Sequence, residues 1–423
     1  MKKNLLVLVL LIITSTIVFR NSFSFFFAQD DFLLINEFSQ NNFITDIKNT
    51  FGLPKITHWR PMHNLYFLVS GNLFGKNYSL YHLLTFILHI SVAFLTYKII
   101  EKITKNSRLA LAAAFIYSVH SAHFVTLFWI SGSATSIGFL FLVLSFYLYL
   151  QEKTRTSILS FVLSLLASEA MVIGAGLFFV YQFLFKDDGV LNAFTKRLIL
   201  VTSTFVFIRF LFLTPQSTYN SYQVKIWPQI VTSTKYYLLR IAGFAEVSGD
   251  LIVSIALLGL LLFITINLAR SLKSESNHKV ATLGLSLIIL GLFPFVFISN
   301  ISAHYMNISV FGFAILIGFA ISKLKPIKIL TFLVIFLIIS FFNVDKTYEN
   351  HWVIQRSNLA QRYIQEIESF NVPERSTIIF NDNYISTSEE AYISLGTGKA
   401  IDFLFKGRNY QYCFTAFESC EEK

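Results

Sequence analysis

Charge is what this chain has least of. Only 14% of its 423 residues are Asp, Glu, Lys or Arg, against roughly 25% in soluble domains. Hydrophobic residues make up 54%, Phe alone occurs 47 times, and the mean hydropathy is +0.60. A large soluble core is excluded, and the composition is that of a polytopic membrane protein. Cysteine is nearly absent: only Cys413 and Cys420 occur, both close to the C-terminus. A disulfide is permitted there if that tail lies outside the cytoplasm, but the spacing alone does not decide the pairing. There is no Walker motif, G-x-G-x-x-G, H-E-x-x-H or nucleophile elbow, so nucleotide-driven and metalloprotease readings have no support. No small-x-small cleavage site follows Met1-Lys2-Lys3-Asn4 and its apolar run. That run is therefore read as an uncleaved signal anchor rather than a removed signal peptide. Repeats and low-complexity tracts are also absent.

What the chain does have is apolar runs near the length that spans about 30 Å of hydrocarbon. Eleven candidate spans are expected, at about 4–20, 80–100, 108–127, 132–150, 156–171, 172–185, 197–213, 250–269, 280–299, 305–322 and 327–343. The fifth and sixth are short enough to be broken helices. The formal charge of +10 implies no nucleic-acid partner, because the basic residues lie mostly in short loops between spans. With the N-terminus inside, the inner segments hold half of the 34 basic residues, among them Lys98, Lys102, Arg155, Arg197, Lys273 and Lys325. The outer loops are longer and hold fewer, which orients the chain with its N-terminus in the cytoplasm. An odd span count then places 344–423 outside.

Two outer segments are too long to be simple connectors. Residues 21–79 contain Phe38, Phe43, Ile44, Ile47 and Phe51 between polar residues, a spacing that suits short amphipathic helices in the interface. Residues 214–249 carry Tyr219, Tyr222, Trp227, Tyr236 and Tyr237, which read as interface anchors. The tail shows a strand-like Ser376-Thr377-Ile378-Ile379-Phe380 and a loop Asn381-Asp382-Asn383. A helix is expected from Ser388 to Leu395, stopped by Gly396-Thr397-Gly398, so that 344–423 forms a small α/β appendage.

The candidate chemistry lies at the outer ends of the spans. Asp30 and Asp31 follow Phe25-Phe26-Phe27-Ala28-Gln29 directly after the first span. Ionisable residues at a membrane boundary are functional-site candidates; the plainer alternative is that both mark where the helix meets water. In His58-Trp59-Arg60-Pro61-Met62-His63, the Arg60 fork can grip a phosphate or merely anchor the interface. His120 and His123 are spaced to share a metal if helical. No third ligand is near in sequence, so no metal site is assigned and a divalent ion stays only an option as cofactor. Glu169 is a lone carboxylate between two apolar runs, which calls for a partner or a substrate contact. His304 sits in Ala303-His304-Tyr305 at the outer end of the tenth span. His82 and His89, seven apart on one helix face, read as buried packing residues.

The order of these segments resembles a known family. Asp30-Asp31 is followed by Trp59-Arg60-Pro61, then Leu73-Phe74-Gly75-Lys76-Asn77-Tyr78-Ser79-Leu80-Tyr81-His82-Leu83-Leu84 leading to His89. His120-Ser121-Ala122-His123 precedes Trp129-Ile130-Ser131-Gly132. Ser168-Glu169, Phe293-Pro294 and His304-Tyr305 complete the set. Over about 20–325 this resembles the membrane half of the tetratricopeptide-repeat transmembrane O-mannosyltransferases. More broadly it looks like the GT-C superfamily of glycosyltransferases, which includes the protein O-mannosyltransferases and the aminoarabinose transferase of lipid A. The family's Arg-x-Asp after Ile-Ser-Gly is Ser133-Ala134-Thr135 here. Its Ser-Lys-Glu is Ala167-Ser168-Glu169, its Glu-Arg-Tyr is Ala303-His304-Tyr305, and the tetratricopeptide array is replaced by the short tail.

The resemblance implies an all-α polytopic membrane protein in two regions: a GT-C-like domain over 1–343 and a small extracytoplasmic region over 344–423. It implies a polyprenyl-phosphate-linked sugar donor and transfer to a protein, lipid or glycan acceptor at the non-cytoplasmic face. Asp30 takes the role of general base, with Asp31 the near alternative. Arg60 and His304 are the donor-phosphate candidates, and Glu169, His120 and His123 the candidate sugar or acceptor contacts. A non-catalytic transporter or flippase of lipid-linked sugars is the alternative; such proteins often carry internal inverted repeats, which are not visible here.

Overall fold

The computed structural model describes residues 2–52, 59–186, 189–212, 223–247, 249–272, 278–382 and 385–420. His58, Tyr219, Tyr222, Lys273 and Asn383 lie outside the described residues. The fold is mostly helical, at 78%, with little sheet. The first apolar run forms α1 (Lys2–Phe19), ended by a 3-10 turn over Arg20–Ser24. Three short helices follow, α2 (Asp30–Ser39), α3 (Phe43–Phe51) and α4 (Pro61–Phe74). Next come α5 (Tyr78–Thr104), α6 (Ser107–Val119), α7 (Phe124–Phe128), α8 (Ser133–Leu150), α9 (Thr154–Ala167) and α10 (Ala175–Phe185). The apolar part closes with α11 (Ala193–Phe212), α12 (Gln229–Ala242), α13 (Leu251–Leu272), α14 (His278–Leu292), α15 (Asn307–Ile321) and α16 (Pro326–Asn350).

Each of the eleven apolar runs is helical, but fewer have the length of a span. Among the described residues seven helices are long and apolar enough to cross a membrane: α1, α5, α8, α13, α14, α15 and α16, some with adjoining turns. An eighth arises if α6 and Ser121–Phe128, bent by 45°, form one broken span. This is a helical, multi-pass membrane protein by the length and composition of its helices. The helices α9 and α10 have 14 and 11 residues, short of the ~20 that cross hydrocarbon. Backbones approach closely where small residues allow it. A Cβ on Gly312 of α15 would lie 2.5 Å from the Gly284 carbonyl oxygen of α14, so these two helices pack through glycine. His82 and His89 are buried on α5 and bond to backbone carbonyls, His82 to Leu127 at 3.1 Å and His89 to Ser118 at 2.8 Å.

The C-terminal region begins with α17 (Trp352–Ser369), because α16 runs on past 343 to Asn350. Then come β1 (Thr377–Phe380), α18 (Ser388–Ser394), α19 (Lys399–Leu404) and β2 (Gln411–Phe414). The two strands pair in parallel, Thr377 with Gln411 through Phe380 with Phe414. Cys413 and Cys420 form a disulfide with Cα atoms 5.9 Å apart. The region shares one core with the segment between α1 and α5: Phe32, Ile35 and Phe38 of α2 cluster with Ile364, Leu395, Phe403 and Phe414. Phe38 thus belongs to that core, whereas Phe43, Ile44 and Phe51 of α3 are exposed. Likewise Tyr237 is fully buried while Trp227 is exposed. Aromatic content alone does not separate a core position from an interface one.

Candidate functional site

The Asp pair opens α2, and its two members do different things. Asp31 is buried and ties the start of α2 to the turn Ile130–Gly132 that precedes α8. Its Oδ2 accepts the Ala28 N–H at 2.9 Å, and its Oδ1 accepts the Ser131 N–H at 2.8 Å and the Ser131 hydroxyl at 2.6 Å. Burial pushes the Asp31 carboxyl up to about 7, against the pull of these three hydrogen bonds. Asp30 is half-buried and makes none of these links. Burial raises its pKa as well; the Gln29 side-chain hydrogen bond and the guanidiniums of Arg356 and Arg60 act in the opposite direction.

Gln29, the residue that presents Asp30, is held in an unusual backbone conformation, with φ +50°. Such conformations persist only where the surroundings over-determine them. Here the C-terminal region does so. The Gln29 N–H donates to the Ser394 carbonyl at 3.2 Å, and Gly396 packs so closely that a Cβ would lie 2.5 Å from the Gln29 carbonyl oxygen. Arg356 of α17 donates to the Gln29 side-chain oxygen. One amide side chain thus bonds both Asp30 and Arg356.

Arg60 and Glu169, 109 residues apart, meet in a bidentate ion pair. Arg60 Nε donates to Glu169 Oε2 at 2.7 Å and Arg60 Nη2 to Oε1 at 2.5 Å. Arg209 of α11 approaches the same carboxylate at 3.4 Å. Arg60 caps α4, with Pro61 at the first helical position, where the missing N–H of proline is no loss. Glu169 opens the turn Glu169–Gly174 between α9 and α10. The partner that an isolated carboxylate in apolar sequence requires is therefore Arg60.

His304 sits in the turn Ala303–Met306 before α15. Its Nδ1 bonds the Ser302 hydroxyl at 2.6 Å, and Arg60, Glu169 and Glu246 all act on it electrostatically. An aromatic chain connects it to Asp30. His304 meets Trp129 at 5.9 Å between ring centroids, Trp129 meets Trp352 at 5.4 Å, and the Arg356 guanidinium lies over Trp352 at 4.9 Å. Asp30, Gln29, Arg356, Trp352, Trp129 and His304 form one continuous series.

A third charged group adjoins it. Glu246 accepts from the Tyr236 hydroxyl and lies 3.4 Å from His351 Nε2. Burial would raise the Glu246 carboxyl, but His351, Tyr236 and Arg240 together hold it below its ordinary value. Arg240 is only 8% exposed, and its Nε and Nη1 have no hydrogen-bond partner among the described residues. A buried guanidinium with unused donors suits an anion.

His120 and His123 are not part of this assembly. His120 is fully buried; its Nε2 bonds the Ile241 carbonyl at 3.0 Å and its Nδ1 accepts the Ala122 N–H at 3.2 Å. Both nitrogens hold the break between α6 and α7. His123 is buried against Tyr117 and His89, at 4.5 and 4.7 Å between centroids. Burial leaves both rings outside the series that runs from Asp30 to His304. Among the described residues no group of three or more His, Cys, Asp or Glu is arranged to hold a metal ion.

Arg209, Arg240, Glu246, His351 and Arg356 were not singled out from sequence. Two of them carried a signal. Arg209 is an ionisable residue inside an apolar run, a flag in its own right, and Glu246 is the sole acid in 214–249. Arg356 stands in an ordinary amphipathic helix and has no local mark. No protein-family model matches the chain, and no curated protein is significantly similar to it.

Proposed function

We propose that the chain is a GT-C-type membrane glycosyltransferase, with Asp30 as general base. It moves a sugar from a polyprenyl-phosphate-linked donor to an acceptor hydroxyl at the non-cytoplasmic face. The observation that carries the reading is the division of labour in the Asp pair. Asp31 is committed to three hydrogen bonds within the fold. Asp30 is left facing arginine charge and is oriented by Gln29. A general base needs a carboxylate that is positioned yet not consumed by the fold.

In the proposed step the acceptor oxygen attacks the anomeric carbon as Asp30 takes its proton. The bond from that carbon to the phosphate oxygen breaks, and polyprenyl phosphate leaves with the electron pair. The configuration inverts. In this reading Arg356, the Arg60–Arg209 pair around Glu169, and His304 stabilise the negative charge on the leaving phosphate. Arg240 offers unused donors for the same task. The prenyl chain stays in the bilayer while its head group reaches the charged assembly.

The test is transfer from radiolabelled polyprenyl-phosphate sugars by purified protein in nanodiscs, with donor binding measured alongside. Asp30→Asn keeps the shape but cannot take the proton, so transfer falls by about 10²–10⁴ while donor binding persists. Full transfer by Asp30→Asn would remove the assignment.

A further inference from the structure

We propose that a polar pocket at the far end of α2 from Asp30 holds a neutral oligosaccharide, and that this is the acceptor. The inference rests on the reading of Asp30 as the base. The pocket is an open surface depression of about 450 Å³. One wall is Asn36, Glu37, Asn41 and Asn49, from α2, α3 and the turn between them; the other is Lys399 and Asp402 of α19.

All its lining side chains are polar, which excludes a prenyl chain or a hydrophobic peptide as occupant. Its charges also cancel: Glu37 and Asp402 are matched by Lys399 and Lys406. Lys399 bonds Asp402 at 2.7 Å, and Lys406 bonds the Gln40 carbonyl at 3.1 Å. Neither a phosphate nor a bare cation is favoured by such a lining.

The hydrogen bonds around the pocket select the ligand further. The Asn36 amide nitrogen donates to the Phe32 and Lys399 carbonyls at 2.7 and 2.8 Å. The Asn41 nitrogen donates to the Glu37 carbonyl at 3.1 Å and to Asp46 at 3.0 Å. The Asn49 nitrogen donates to the same Glu37 carbonyl at 3.0 Å. These bonds hold all three amides, use both donors of Asn36 and Asn41, and use one of the two of Asn49. Their side-chain oxygens, with the Glu37 carboxylate, have no hydrogen-bond partner among the described residues. Held amide oxygens beside a free carboxylate, in a lining with no net charge, call for a neutral ligand rich in donors, and sugar hydroxyls meet that requirement.

The pocket is also in line with the proposed chemistry. Glu37 follows Asp30 by seven residues, two helical turns, so the two share a face of α2 about 10 Å apart. A glycan lying along that face with one end in the pocket brings its terminal hydroxyl to Asp30.

The test is calorimetric titration of the full-length protein in nanodiscs, without donor, using neutral, acidic and basic oligosaccharides of increasing length. Neutral chains should bind, and longer ones more tightly than monosaccharides. Glu37→Arg should weaken binding by at least about tenfold, and Glu37→Gln by less. Glu37 is exposed and bonds nothing through its side chain among the described residues, so both variants should melt like the wild type. Asp30→Asn should bind glycan normally. Failure of every neutral oligosaccharide to bind overturns the proposal, as does unchanged binding in Glu37→Arg. Transfer to a peptide or lipid that is indifferent to Glu37→Arg also overturns it while leaving the transferase reading intact. Binding that depends on Glu37 in a protein that transfers no sugar supports the glycan site and overturns the transferase reading.

Discussion

The sharpest consequence of the fold is that a glycine in the C-terminal region sets the position of Asp30. Gly396 has φ +56°, and a Cβ there would lie 2.5 Å from the Gln29 carbonyl oxygen and 3.1 Å from the Phe32 Cβ. Gly396→Ala therefore meets two penalties. The left-handed backbone costs about 1–2 kcal/mol for a residue with a Cβ. Forcing a methyl group into closed space adds about 1–3 kcal/mol. Real Cβ atoms do not approach backbone oxygen at 2.5 Å, so either the 394–396 turn or the Gln29 carbonyl must move. If the turn moves, α18 loses its grip on the start of α2; if Gln29 moves, Asp30 moves with it. For Asp30 as the proposed base, a displacement of about 1 Å is enough to lower the rate about 10²-fold. Gly407→Ala is the matched control: its φ is +98° but nothing lies within 4 Å of the added Cβ, so it carries the backbone penalty alone. The expected result is a loss of about 2–5 kcal/mol for Gly396→Ala against about 1–2 kcal/mol for Gly407→Ala, with sugar transfer lost only in the first. Thermal melting and transfer assays on the purified variants read both. If the two variants melt alike and both transfer at the wild-type rate, the contact with Gln29 does not position Asp30.

The remaining predictions concern the ties around the site. Asp31→Ala leaves the Ala28 N–H, the Ser131 N–H and the Ser131 hydroxyl without their acceptor and should cost about 3 kcal/mol or more, measured by thermal melting. The Asp31 carboxyl titrates near 7 in the folded chain against 3.8 ordinarily, so between these values the folded state keeps a proton that the unfolded chain releases. Its contribution to stability is thus fullest below pH 3.8 and is lost as pH rises to about 7; Asp31→Asn should flatten that slope, and an unchanged melting profile over pH 4–7 would contradict the burial argument. A double-mutant cycle on Arg60→Ala and Glu169→Ala should give a coupling of about 1–2 kcal/mol, above the exposed-pair range because the pair is bidentate and mostly shielded; zero coupling would mean the pair is incidental. In intact cells the Cys413 and Cys420 thiols should resist maleimide labelling until a reductant is added, since a disulfide survives outside the cytoplasm. Ready labelling only after permeabilisation, with no reductant, would put the tail inside and end the proposed orientation.

Local sequence carried much of the fold and less of the site, for physical reasons visible in particular residues. The apolar runs became helices because runs of that length satisfy their own backbone hydrogen bonds. In the tail, β1, α18 and the stop at Gly396-Thr397-Gly398 follow local rules of strand composition, capping and left-handed glycine. The break at His120 was less legible. It depends on a bond to the Ile241 carbonyl, 121 residues away, so a continuous apolar run reads as a straight span. Phe38 and Tyr237 look like interface aromatics in sequence and are core residues in the fold, because a large ring is equally at home in either place. The arginines show the same limit. Arg60, Arg209, Arg240 and Arg356 come from four separate elements, and nothing in their spacing or their sequence neighbours states that they lie near one another.

The Asp pair itself explains how two adjacent identical residues acquire different roles. Successive residues on a helix differ in direction by about a quarter turn or more, so Asp30 and Asp31 cannot both face inward. Asp31 takes the inward direction, with Phe32 and Ile35, and there a carboxylate persists only if its acceptors are filled. Ser131 and Ala28 supply three donors, and the price of that satisfaction is that Asp31 has little left to offer a ligand. Asp30 takes the other direction, along the face that leads to Glu37. Its charge is balanced by arginines on other elements rather than by the backbone of its own turn. A charge balanced at a distance can accept a proton without dismantling the fold, whereas a charge that holds two segments together cannot. Sequence reports two equivalent carboxylates; the geometry makes one of them a fastening and leaves the other available for chemistry.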